Sequence, residues 1–92
     1  MTPERAEDIA VQALVWLAGH EDLGGVFLGA TGAAPEELRN RAEDPVFLLS
    51  VLEFLTMDDA WVVAFCDAQT LDYGQPMMAR QVLSGPGQDG WD

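Results

Sequence analysis

The sequence predicts an all-α fold, a single-domain orthogonal bundle of five to six short helices. Four of the five prolines precede segments with helical periodicity, and proline is favoured in the first turn of a helix. No stretch alternates apolar and polar residues for long enough to predict a strand. Because 92 residues support one hydrophobic core, we expect a helical bundle domain over residues 1–84 and a flexible C-terminal tail over residues 85–92.

The composition excludes several classes of protein. The chain contains sixteen Asp and Glu, four Arg and no Lys, which gives a formal charge of −12. This charge disfavours nucleic acid as a partner, because binders of nucleic acid rely on positive charge to contact phosphates. No apolar run approaches the roughly 18 residues of a membrane span, and the N-terminus lacks a secretory signal. We therefore expect a cytoplasmic protein that does not contact a membrane.

The first two helices differ in regularity. The first runs from Pro3 to Ala18 behind the N-cap residue Thr2, with its charged side chains opposite its apolar face. The second runs from Asp22 to Ala30, where each glycine costs about 1 kcal/mol relative to alanine and can allow close approach of another helix. The expected inward residues are Ala6, Ile9, Ala10, Ala13, Leu14, Trp16 and Leu17 in the first helix, and Leu23, Val26, Phe27 and Ala30 in the second.

The middle of the chain predicts a short helix followed by the most apolar one. The short helix spans Pro35 to Ala42 and is anchored by Leu38, and the next spans Pro45 to Met57 behind the N-cap residue Asp44. The broad apolar face of the second of these helices predicts a central position. Short connections predict that helices adjacent in the sequence pack together. The expected face consists of Phe47, Leu48, Val51, Leu52, Phe54 and Leu55.

Two further helices complete the bundle, and one of them carries a possible contact surface. The fifth helix runs from the Asp58-Asp59 cap to about Leu71, and the sixth runs from Pro76 to Ser84. The expected inward residues are Ala60, Trp61, Ala64, Phe65, Ala68 and Leu71 in the fifth helix, and Met78, Ala79, Val82 and Leu83 in the sixth. Val62, Val63 and Cys66 then project among polar residues, and Trp91 has no core position. These four are possible partner-binding residues if they form one exposed patch. The alternative is burial by neighbouring helices.

Side chains capable of catalysis are few. His20 stands where one helix stops and the next starts, so a structural role is the simpler interpretation. Cys66 lies within a helix beside Asp67, where negative charge raises the pKa of a thiol and lowers its reactivity. The paired acids lie near helix starts and lack the spacing of a calcium loop. We therefore predict no catalytic residue, no cofactor and no metal site.

The function that remains is a non-catalytic protein–protein interaction module, monomeric or weakly dimeric, that binds a basic partner. One alternative is a helix-turn-helix-like regulator that binds nucleic acid through residues 31–43, for which Arg39 and Arg41 would have to share a face with Arg5 and Arg80. An enzyme built around His20 or Cys66, and a homodimer formed through the Val62 side of the fifth helix, are further alternatives.

Two linked patterns carry a resemblance to a known family. They are Phe27-Leu28…Thr31-Gly32-x-x-Pro35-Glu36-x-Leu38-Arg39 and Asp44-Pro45-x-Phe47-Leu48-x-x-Val51-Leu52-x-Phe54-Leu55-x-x-Asp58-Asp59. With them, the chain resembles a family of short bacterial proteins described only as a domain of unknown function. The resemblance extends over nearly the whole chain and implies a small, all-helical, cytoplasmic protein. It implies no reaction, ligand or functional residue.

Overall fold

A computed structural model describes residues 1–32 and 34–85 of the chain. Within these residues it contains six helices and no strand, so the all-α prediction is confirmed. The predicted tail falls almost wholly on residues 86–92, which lie outside the described residues; Gly85, the one described residue in it, is buried. The helices are α1 (Pro3–Ala18), α2 (Glu21–Thr31), α3 (Pro35–Arg41), α4 (Pro45–Leu55), α5 (Asp59–Gln69) and α6 (Gln75–Ser84).

Side-chain caps begin several of the helices where the sequence predicts them. The hydroxyl of Thr2 accepts a hydrogen bond from the first turn of α1 at 3.1 Å. The carboxylates of Asp44 and Asp58 accept backbone N–H bonds at 3.0 and 2.8 Å at the starts of α4 and α5. Ala34 has no side-chain acceptor to offer α3, but the carboxylate of Glu37 accepts the Ala34 N–H at 2.8 Å. These bonds satisfy donors that a helix start leaves free.

Helices distant in the sequence form the centre of the fold. α1 packs most extensively against α6 and α4, and α4 also packs against α6, whereas α2 and α5 make smaller contacts with α1. The prediction that sequence neighbours pack together holds for α1 and α2, whereas the most extensive packing joins helices that are not adjacent in the sequence. Ala6, Ala10, Ala13 and Ala79 are fully buried, and their small side chains let α1 and α6 approach each other closely.

The inward faces of α1 and α4 agree with the sequence prediction. All six residues expected inside α4 are buried, and α4 lies among α1, α6 and the aromatic rings of α2 and α5, which confirms its central position. On α1, Trp16 is half-buried and the other expected residues are buried. The buried residues of α1 are Ala6, Ile9, Ala10, Ala13, Leu14 and Leu17.

The predicted inward face of α5 is partly wrong. Its alanines at 60, 64 and 68 are exposed, whereas Phe65 and Cys66 are fully buried. Phe65 meets the ring of Trp16 edge-on at 5.7 Å, and Trp61 stacks on Phe54 at 4.9 Å. Burying aromatic rings removes more apolar surface from water than burying alanine methyls does. The rings therefore set the rotation of α5 about its axis.

Smaller corrections apply to α2, α6 and the end of α5. Val26 of α2 and Met78 of α6 are 53% and 44% exposed, although both were expected inside. α5 ends at Gln69 instead of near Leu71 because Thr70 adopts a left-handed conformation with φ of 59°. The Leu71 N–H then donates to the Cys66 carbonyl at 2.9 Å, which closes the helix end.

The excess negative charge predicts a salt-dependent stability. The Debye length is about 30 Å at roughly 0.01 M salt and about 10 Å at 0.1 M, against a radius of gyration of 12.7 Å. Carboxylates on opposite sides of the molecule therefore repel one another only in dilute buffer. We expect the free energy of unfolding to rise by about 1 kcal/mol and the Tm by about 4–8 °C over this range of sodium chloride. A calorimetric Tm that stays constant or falls would contradict this expectation.

Candidate functional site

An open groove of about 740 Å³ runs between α1 and α3 and is mostly apolar. Leu14 at its base is buried, Val11 and Leu38 are half-buried, and Val15 is 66% exposed. α3 makes few contacts with the other helices, and its apolar anchor, Leu38, packs against the core. The α1–α3 groove is lined by Val11, Leu14, Val15, Ala18, Glu36, Leu38, Arg39, Asn40 and Ala42.

The α1–α3 groove has a lining of balanced charge and an acidic stripe beside it on α1. Glu36 and Arg39 both line it, so the charges of the lining itself cancel. Along α1, the exposed residues Glu4 and Asp8 precede Val11 at helical intervals of four and three residues, which places the three on one stripe. An acidic stripe therefore leads directly into the apolar groove.

The four predicted partner-binding residues do not form one exposed patch in the described structure. Cys66 is fully buried, Val62 is half-buried, and Val63 is 39% exposed. Trp91 lies outside the described residues. The packing of Phe65 and Trp61 turns Cys66 inward, so for Cys66 the alternative of burial by neighbouring helices holds. A binding role for Val63 stays a prediction.

The thiol of Cys66 serves to close a turn. Its Sγ donates to the Asp72 carbonyl at 3.4 Å, across a shallow hollow formed by the end of α5 and the turn that follows it, which also includes Tyr73. Burial raises the pKa of the Cys66 thiol, and the negative charges of Asp67 and Asp72 raise it further. The predicted upward shift of the Cys66 pKa is confirmed.

The raised Cys66 pKa predicts a loss of stability at high pH. The folded protein holds the thiol proton more tightly than the unfolded chain, whose thiol pKa is near 9.0. The stability that the protonated thiol contributes is fully present below the pKa of the unfolded thiol. It is lost as the pH rises towards and through the pKa of the thiol in the folded protein. We expect the urea midpoint to fall more steeply between about pH 8 and 11 in the parent protein than in Cys66→Ala.

Tyr73 provides a background for this measurement. Its hydroxyl donates to the Asp67 carboxylate at 2.8 Å, and this bond, with the charge of Asp67, raises the pKa of the Tyr73 phenol. Both proteins keep Tyr73 and its bond to Asp67, so the difference between their slopes reports the Cys66 thiol together with the effect of its charge on Tyr73. Equal slopes would contradict the assignment.

His20 caps α2. Its Nδ1 accepts the backbone N–H of Leu23 at 3.3 Å, and its ring lies 5.3 Å from that of Trp16. Sequence reasoning correctly placed a helix boundary here but missed the cap, because histidine is not among the favoured N-cap residues. The bond occupies the nitrogen that a general base in this tautomer would use.

The cap at His20 predicts a difference between two substitutions. His20→Ala removes the acceptor and is expected to lower the free energy of unfolding by about 1 kcal/mol. His20→Asn also loses the ring contact with Trp16 but keeps an acceptor, so it should recover most of the capping energy. Urea unfolding followed by circular dichroism compares them. Equal stability of the two variants would show that the cap contributes nothing.

The arginines occupy separate places in the fold. The guanidinium of Arg41 lies 4.5 Å over the ring of Phe47, near the start of α4. Arg80 donates to the Thr56 hydroxyl at 3.3 Å at the other end of that helix, roughly 13 Å away at 1.5 Å per residue. These contacts place Arg41 and Arg80 at opposite ends of α4, and the helix-turn-helix alternative stays a prediction. In the described part of the chain, Arg41 makes no ion pair, and its guanidinium contacts the ring of Phe47 instead.

Metal and membrane features are absent from the part of the chain that the structure describes. No three His, Cys, Asp or Glu side chains in it gather closely enough to hold a metal ion. No helix among the described residues has both the length and the apolar character needed to cross a bilayer.

Comparison with known protein families gives a match over most of the chain. The family described as "Protein of unknown function (DUF3572)" matches residues 3–86, which is most of the chain. The comparisons with curated proteins and with solved structures give no significant match.

Proposed function

This chain belongs to the DUF3572 family of proteins of unknown function, and we propose its function from the surface that the fold presents. It is a non-catalytic interaction module that binds a basic protein partner. The observation that carries the proposal is the α1–α3 groove, an unfilled apolar surface beside exposed carboxylates in a chain of charge −12. Apolar contact supplies affinity, and charge complementarity increases the association rate and selects the partner.

The surroundings of His20 and Cys66, the two residues considered for catalysis, support a non-catalytic role. The Nδ1 of His20 is bound to the start of α2, and Cys66 is buried with a raised pKa. A nucleophile requires a base within hydrogen-bond reach. The Sγ of Cys66 donates to the backbone carbonyl of Asp72, which cannot act as a base.

Affinity capture from the native cell at low salt, followed by mass spectrometry, tests the proposal. We expect the retained protein to be basic and to bind, once purified, with an affinity that falls between about 0.05 M and 0.5 M sodium chloride. An affinity that does not change with salt, or a partner as acidic as this chain, would contradict the proposal.

Two single-charge variants separate the groove from the charge of the whole molecule. Glu36→Gln removes a carboxylate from the α1–α3 groove, and Glu53→Gln removes an exposed one from α4. We expect Glu36→Gln to weaken binding of the purified partner about two- to fivefold, as for the loss of an exposed ion pair. We expect Glu53→Gln to have a smaller effect on the affinity. Equal effects would show that only the net charge attracts the partner.

A further inference from the structure

We propose that the α1–α3 groove is the docking site for a basic amphipathic helix of the partner protein. The inference rests on the proposed function and specifies which segment of the partner binds and where. It follows from the shape of the groove, the spacing of its apolar side chains and the charge along its border.

The shape of the groove fits a helix. Its two sides are the helices α1 and α3, and an amphipathic helix is a common occupant of an apolar groove between helices. The apolar residues that α1 contributes extend from Val11 to Ala18, which is about 10 Å at 1.5 Å per residue. Two turns of a partner helix cover that length, with apolar anchors at positions i, i+3 or i+4, and i+7.

The central contact is Val15. It is the most exposed large apolar side chain among the groove residues, at 66%, and it stands between half-buried Val11 and exposed Ala18. A docked helix would remove this surface from water. Leu38 and Ala42, four residues apart, offer a second apolar row on the facing side.

The border of the groove selects a basic helix. Glu4 and Asp8 continue the stripe of α1 beyond Val11, and Glu36 borders the groove on α3 against the single cation Arg39. Lysines or arginines flanking the apolar face of the partner helix would lie against these carboxylates. The same carboxylates would repel an acidic helix and the anionic surface of a membrane.

Synthetic peptides and the full chain test the inference. The probe is an 18-residue helical peptide of leucine and lysine with its leucines on one face. Its controls are a scrambled peptide of the same composition and a leucine–glutamate peptide with the same apolar face. In nuclear magnetic resonance titrations of the labelled chain, we expect the first peptide to shift the amide signals of Val11, Val15 and Leu38. Equal binding of the scrambled peptide or of the acidic peptide would overturn the proposal.

A pair of variants makes the test independent of overall attraction. Val15→Asp and Val46→Asp each add one negative charge at an exposed valine, the first inside the groove and the second on α4, where Val46 is 75% exposed. Net charge alone predicts that both variants bind the basic peptide more tightly. Docking in the groove predicts that Val15→Asp weakens binding at least tenfold, because a carboxylate must then be covered by apolar surface. Val46→Asp should stay within about twofold, since an exposed charge that does not line the groove has a small effect.

The remaining outcomes also decide the question. Equal affinities of the two variants, or signal shifts confined to another surface, would overturn the docking site. A dimer in sedimentation that Val15→Asp dissociates would assign the groove to a second copy of this chain instead. A salt-sensitive basic partner from cells that binds Val15→Asp normally would leave the proposed function intact and remove the inference.

Discussion

Replacing Phe27 by alanine is expected to lower the free energy of unfolding by about 3–5 kcal/mol. Phe27 is 1% exposed and is the one buried large side chain of α2. Its ring lies 5.2 Å from that of Phe54 and 6.0 Å from that of Phe47, so it joins α2 to α4. The substitution removes both ring contacts and leaves a cavity that close-packed neighbours fill only in part.

The neighbouring residue Val26 provides the control for Phe27→Ala. It stands on the same helix, one position away, and is 53% exposed. Val26→Ala is expected to change the free energy of unfolding by no more than about 0.5 kcal/mol. Urea unfolding measures both. A cost for Phe27→Ala as small as that for Val26→Ala would mean that the aromatic rings do not hold α2 in place.

Alanine in place of Gly24 is expected to destabilise the protein by about 1–3 kcal/mol, whereas alanine in place of Gly25 should stabilise it by up to about 1 kcal/mol. A Cβ atom at Gly24 would lie 2.7 Å from the carbonyl oxygen of Leu17, closer than such atoms approach. That oxygen belongs to the backbone of α1, so the clash can be relieved only by moving α2 away. A Cβ atom at Gly25 meets nothing within 4 Å.

The two glycine variants control for each other, because both gain the helix propensity of alanine. The difference between them isolates the close approach of α1 and α2. Gly29 is a second control, since a Cβ atom there also meets nothing within 4 Å. If all three alanine variants were equally stable, α1 and α2 would not be packed as closely as described. The sequence prediction that glycine can allow close approach applies to Gly24 and not to Gly25 or Gly29.

Local chemistry made most of the helices predictable. Proline in a first helical turn and a carboxylate or hydroxyl before it are effects within a few residues, so Thr2, Asp44 and Asp58 could be recognised as caps from the sequence. The inner face of α4 was predictable because its apolar residues are large and numerous on one side. Such a face has few alternative orientations.

Tertiary contacts account for the expectations that failed. α5 has alanines on one side and valines on another, and its rotation is decided by Trp16 and Phe54, which come from other helices. The α1–α3 groove could not be predicted either, because nothing in the sequence shows that α3 leaves Val15 uncovered while α4 and α6 cover the other side of α1. One available signal was Val15 itself, an apolar residue among the charges of the first helix.

The most direct measurement of the proposed role is the binding of Val15→Asp and Val46→Asp to the natural partner, once capture has identified it. We expect Val46→Asp, altered outside the groove, to bind like the parent protein. We expect Val15→Asp to keep its helical circular dichroism and lose the partner, although it carries more of the charge that attracts a basic protein. Equal binding by the two variants would contradict the assignment of the groove as the site of interaction.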